Sequence, residues 1–140
     1  MPADLQLTFD FLTDLRFNNN KTWFDENRKQ YEKARTVFEN FIADIMGRFK
    51  PVEDLGNTTV KECAFRINRD VRFSKDKTPY KAHMSAVIGK GRRKNMDRSY
   101  YVHIEPGACM VAGGIYMPSS EQLKQIRAAI ALKPAKLAPY

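Results

Sequence analysis

The sequence is poor in the residues that build covalent or metal-held frameworks. Its 140 residues hold two cysteines, Cys63 and Cys109, and two histidines, His83 and His103. The cysteines stand far apart with no C-x-x-C spacing, which argues against a disulfide framework and fits a reducing, cytoplasmic setting. The histidines lack H-x-x-x-H spacing. They would reach a zinc ion only together with Asp70 or Glu105, so no metal is expected. No apolar run approaches the roughly 20 residues that a membrane helix needs. Residues 1–10 lack a basic stretch followed by an apolar core, so no signal peptide is read. A phosphate loop of the form G-x-x-x-x-G-K-[ST] is missing, and so is a G-x-S-x-G nucleophile turn. No cofactor is expected. Helix-turn-helix, zinc-finger and RNP patterns are also missing. With no repeat, low-complexity tract or linker, residues 1–140 read as one domain.

Basic charge is present and unevenly placed. The formal net charge is +8, and residues 61–98, with 12 basic and 4 acidic side chains, carry an excess of that same size. A local excess of this kind marks an electropositive patch that attracts anions.

Along the chain, residues 5–17 predict a helix with Phe9, Leu12 and Leu15 or Arg16 at helical spacing and Asp10 and Asp14 outward. Asn18-Asn19-Asn20 breaks it, and Asn20 is placed to cap the next one. A long helix is expected over 21–50, with a stripe through Trp23 or Phe24, Tyr31, Ala34, Phe38, Phe41 or Ile42, Ile45 and Phe49 at steps of three and four. Pro51 and Gly56-Asn57 end it. The period then becomes two. Cys63, Phe65 and Ile67 predict a half-buried strand. Met84, Ala86 and Ile88 predict one face of a second, and Tyr100, Val102 and Ile104 one face of a third. The last two are expected to pair as a long hairpin across 89–98, with Ile88 near Ser99. Residues 108–117 are apolar on both faces and suit a central strand. Ser119 and Gln122 stand in capping-box spacing before a final helix whose stripe is Leu123, Ile126 and Ile130. The fold class is α+β: N-terminal helices, an antiparallel meander of about four strands, then a C-terminal helix. The sheet is expected to pack its apolar face on the long helix and the final one.

Two groups of side chains carry chemistry. The first lies in 63–81, C-A-F-R-I-N-R-D-V-R-F-S-K-D-K-T-P-Y-K. Arg66, Arg69 and Arg72 recur every third residue, with Lys75, Lys77 and Lys81 close by. A guanidinium is always charged, and its planar fork matches a carboxylate or phosphate with two bonds at once. Asp70 would orient one arginine, while Lys77 and Tyr80 would position a ligand. Two aspartates cannot neutralise six cations, which favours an anion site over a purely structural Arg–Asp network. The second group comes from alternation in the hairpin, which puts His83, Ser85, Tyr101, His103 and Glu105 on one face. Arg66 and Asn68 would join it if their strand lies alongside. A histidine beside a carboxylate is a general acid or base near neutral pH, which makes His83, His103 and Glu105 the candidate catalytic residues.

The pattern R-x-x-R-D-x-R-F-x-x-x-K-x-x-Y, met by Arg66, Arg69, Asp70, Arg72, Phe73, Lys77 and Tyr80, resembles the signature of a bacterial and fungal family catalogued as domain of unknown function 2461. The resemblance runs from N-N-N-K-T-W-F at 18–24 to G-G-I-Y-M-P at 113–118. It implies no reaction. Family members are longer, which implies a missing C-terminal part here, and 133–140 reads as a frayed end. The residues themselves favour a domain that binds a phosphorylated or polycarboxylate small molecule, as a hydrolase or transferase. The alternative is a non-catalytic basic module. The basic stretch 90–94 beside Tyr100 and Tyr101 would then dock nucleic acid or an acidic protein partner.

Overall fold

The computed structural model describes residues 4–91 and 98–139. The fold is α+β, as expected: helices first, then a three-stranded antiparallel sheet, then a helix.

Helix α1 (Gln6–Phe17) buries Thr8, Phe11, Leu12 and Leu15. Thr8 is fully buried because its hydroxyl donates to the Ala34 carbonyl at 2.9 Å, where the small Ala34 lets two helices approach. The long helix expected over 21–50 is broken. α2 (Lys21–Glu26) ends at Asn27, and α3 (Arg28–Phe49) begins after it. Asn27 donates its side-chain amide to the Trp23 carbonyl at 2.9 Å, competing with the helical ladder. α3 buries Ala34, Phe38, Ile42 and Met46, a row at steps of four. Phe11, Phe24 and Tyr31 cluster at its start, with ring centroids 4.9–6.1 Å apart.

A second correction falls at the expected first strand. The residues from Val60 to Cys63 form a helical turn, α4, not a strand. Thr59 and Glu62 make a reciprocal capping box there, which takes Cys63, the first residue of the expected strand, into the turn. Two isolated antiparallel bridges follow, Ala64 to Ala86 and Asn68 to Tyr80. The described residues therefore hold three strands, not four.

The sheet is β1 (Met84–Ile88), β2 (Ser99–Ile104) and β3 (Met110–Gly114), in that spatial order. Ile88 was expected near Ser99; it pairs with Tyr100, and Met84 pairs with Ile104. This register puts both apolar sets on one side, where they join α1–α3 in a single core. The 108–117 stretch was expected at the centre. β2 takes that place, and β3 is an exposed edge. Gly113 lies beneath the Tyr100 ring, whose Cδ1 would stand 3.2 Å from an added Cβ. α5 (Ser120–Leu132) has its expected capping box between Ser119 and Gln122. Its stripe is not buried: Ile126 and Ile130 are exposed, and among the described residues the core face of the sheet is covered by the helices that precede it. No described helix is long and apolar enough to cross a membrane.

Candidate functional site on the outer sheet face

The alternation that turns Met84, Ala86 and Ile88 into the core sends Ser85, Val87, Tyr101 and His103 to the opposite face. β3 adds Met110 opposite His103 and Ala112 opposite Tyr101. Together with Phe65 and Tyr116, Val87, Tyr101, Met110 and Ala112 line a groove of about 660 Å³ on this face.

Beside the groove runs a hydrogen-bonded chain. Arg16, at the end of α1, donates from Nη2 to Glu105 Oε1 and to the Pro106 carbonyl, both at 3.1 Å. Glu105 Oε2 lies 2.8 Å from His103 Nε2, and His103 Nδ1 lies 2.8 Å from the Tyr101 hydroxyl. The hydrogen bond from His103, and more weakly the charges around it, hold the Glu105 carboxyl below its usual range. An ionised carboxylate only accepts, so His103 Nε2–H donates to Glu105, and in the tautomer with Nδ1 bare the Tyr101 hydroxyl donates to Nδ1. His83 stacks on His103 with centroids 4.2 Å apart and planes 28° apart. Burial, then the neighbouring His103, pushes His83 down to about 4, so its imidazole is neutral at pH 7. The hairpin thus brings His83, His103 and Glu105 together.

Arg16 was not legible as a site residue in the sequence. It sits 89 residues from Glu105, and only the packing of the end of α1 against the turn after β2 unites them. Tyr101 was placed on the correct face, but its link to His103 was not read. The signal for it was the i, i+2 spacing of Tyr101, His103 and Glu105 on one strand face.

The arginine motif is a braced loop. Arg69 Nη1 binds Asp76 at 2.5 Å, the Thr78 carbonyl at 3.2 Å, and the Thr78 hydroxyl. Arg72 forks onto Asp70 at 2.9 and 2.6 Å. Lys77 caps the Val71 carbonyl and Lys81 the Arg66 carbonyl, each at 2.8 Å. The Arg66 side chain is exposed and forms no ion pair among the described residues; its charge adds to the Arg72 hydrogen bonds that lower Asp70. Tyr80, expected to position a ligand, is a core residue. Its ring is buried and stacks on Phe24 at 4.0 Å and 15°. The loop meets the sheet through Lys81, whose ammonium lies 5.6 Å over the Phe65 ring at the groove and whose charge reaches His83.

The N-N-N stretch explains how the loop is anchored. Asn18 closes α1 on the Asp14 carbonyl, Asn20 caps α2 on the Trp23 amide, and Asn19 between them grips Tyr80. Its amide donates to the Tyr80 carbonyl at 2.8 Å, and its oxygen accepts from the Tyr80 amide at 3.1 Å. Two stretches about 60 residues apart in sequence are one structural unit. The basic stretch 92–97, with Arg92, Arg93 and Lys94, lies outside the described residues. No curated protein and no solved structure matches the chain. The family model described as "Conserved hypothetical protein (DUF2461)" matches residues 7–139, and the chain belongs to that family.

Proposed function

We propose that the outer sheet face binds a small molecule bearing phosphate or carboxylate groups, and that Tyr101, backed by His103 and Glu105, exchanges a proton with it. The observation that carries this reading is the continuous chain Arg16–Glu105–His103–Tyr101 ending at a groove. Glu105 orients and supports the imidazole. As Tyr101 takes a proton from the ligand, its own phenolic proton passes to His103 Nδ1, giving an imidazolium beside the Glu105 carboxylate; in the reverse direction His103 returns that proton as Tyr101 donates one to the ligand. His83 stacks on His103 and walls the site. The apolar lining suits the body of a ligand, and Lys81 and Arg66 supply positive charge for its anionic end.

The roles of the motif divide on this reading. Arg69, Asp70, Arg72 and Lys77 act on the anion through the shape and net charge of the loop, because each already holds a partner in it. Tyr80 fixes the end of the loop. Arg66 is the arginine with a guanidinium available to an anion. A hydrolase or transferase fits this arrangement.

The test is a thermal-shift screen of the chain, with chelator, against phosphate, nucleotides, sugar phosphates, polycarboxylates and short DNA and RNA at two salt concentrations. A ligand that binds the native state raises Tm by mass action. The expected result is a selective small-molecule shift that persists in salt and is lost in Arg66→Ala and weakened in Tyr101→Phe. Shifts seen only with nucleic acid and fading with salt would overturn it in favour of a basic docking module.

A further inference from the structure

One ring nitrogen each from His83 and His103 and one carboxylate oxygen of Glu105 lie within 4.8 Å of one another. His83 is half-buried beside them, yet its ring makes no hydrogen bond among the described residues and is held by stacking alone. We propose that His83, His103 and Glu105 form a site for one divalent transition-metal ion of the zinc class, with its remaining coordination positions open on the outer sheet face.

The donor set selects the ion. Two imidazole nitrogens and one carboxylate oxygen suit a borderline ion such as zinc, whereas magnesium and calcium prefer oxygen donors throughout. Three protein ligands with a fourth position left to water or substrate is the composition of catalytic rather than structural zinc sites. Donors around a tetrahedral zinc at 2.0–2.1 Å stand about 3.3 Å apart. His103 Nε2 and Glu105 Oε2, at 2.8 Å, need only open slightly around an ion. The unbonded His83 ring closes the remaining gap by turning, and no hydrogen bond resists it.

The surroundings complete the coordination. When Nε2 of His103 gives its lone pair to the ion, the imidazole proton resides on Nδ1, and the Tyr101 oxygen at 2.8 Å accepts it. The second oxygen of Glu105 keeps Arg16. Arg16 and Lys81 lower the affinity for a lone cation, and with the ion bound they leave the site positive, which suits an anionic ligand on the metal. The metal-bound state and the proton relay are alternative states of the same residues, since an Nδ1–H cannot accept the phenolic proton; the inference does not rest on the relay, because metal occupancy is read with no organic ligand present.

The experiment is a titration of the chelator-stripped chain with Co²⁺ alone, followed by optical absorption, with Zn²⁺ as competitor. The expected result is one equivalent of a visible band of four- or five-coordinate cobalt, bleached by one equivalent of Zn²⁺. His83→Ala and Glu105→Gln should each lose the band while keeping the wild-type far-ultraviolet circular dichroism. His83→Ala is the informative variant, because its ring holds no hydrogen bond that the fold needs. A wild-type spectrum of hydrated Co²⁺ only, or a band that survives in the His83→Ala, Glu105→Gln double variant, would overturn the proposal.

Discussion

At the scale of single residues, a few side chains set the cost of disturbing the molecule. Phe38 is fully buried at the centre of α3 and in contact with the common core. Phe38→Ala should cost about 3–5 kcal/mol, read by denaturant unfolding, since both transfer energy and a cavity are lost. A loss under about 1 kcal/mol would mean that the helices do not close on the sheet as described. Tyr101→Phe removes one part-buried hydrogen bond and should cost only about 0.5–1.5 kcal/mol. Its diagnostic effect is on His103. With the hydroxyl gone, Nδ1 loses its donor, and the ¹⁵N shifts of that ring should change while those of His83 move little. Unchanged His103 shifts would break the relay at its last link.

The individual residues were legible to different degrees. His83 and His103 share a face because the period of a strand is two, and that is written in the order of the residues. Tyr80 was misplaced because an aromatic inside a basic motif looks alike whether it faces a ligand or the core. Its burial follows from Phe24 and Asn19, which are distant in sequence. Arg16 was lost for the same reason.

At the scale of elements, local closure decides the boundaries. The caps at Asn20, Thr59 and Ser119 rest on short-range side-chain bonds, and the Asn20 and Ser119 caps were readable from residue type. The Thr59 capping box draws Cys63, the start of the expected first strand, into a helical turn. Thr59→Ala should destabilise the protein by about 1 kcal/mol in thermal or denaturant unfolding. No change would assign the turn to packing of Cys63 instead.

The motif loop gives a pH prediction at the same scale. Hydrogen bonds from Thr78 and then from Arg69 lower Asp76 from 3.8 to about 2. A depressed carboxylate adds stability above its unfolded value and loses it as pH falls through the folded one. The brace should therefore stay whole above 3.8 and come apart as the pH approaches about 2. The Thr78 amide, which donates to Asp76 at 2.9 Å, reports this in an NMR titration. A midpoint at the ordinary value would mean the brace is not formed, and Asp76→Asn should remove the transition.

At the scale of the whole molecule, the sheet has one face in the core and one open. The core face was legible because Met84, Ala86 and Ile88 alternate in step with Tyr100, Val102 and Ile104. The position of β3 was not, because apolar residues on both faces suit a buried strand and an exposed edge with apolar patches equally. The final helix misled in the same way. A stripe at helical spacing shows that a helix has an apolar side, not that anything covers it. Charge patterning singled out the motif loop and Asp70 as the partner of one arginine, while the pairing of Asp76 with Arg69 and the carbonyl partners came only from the fold.

The central claim is that the open face, not the helical layer, is where a ligand is met. The most direct measurement is NMR shift mapping with whichever phosphorylated or polycarboxylate compound raises Tm most. The expected result is a continuous set of shifts over Phe65, Val87, Tyr101, His103 and Met110, extending to Arg66 and Lys81. Shifts confined to α1–α3 or to α5, with the Tyr101 and His103 signals unmoved, would contradict it.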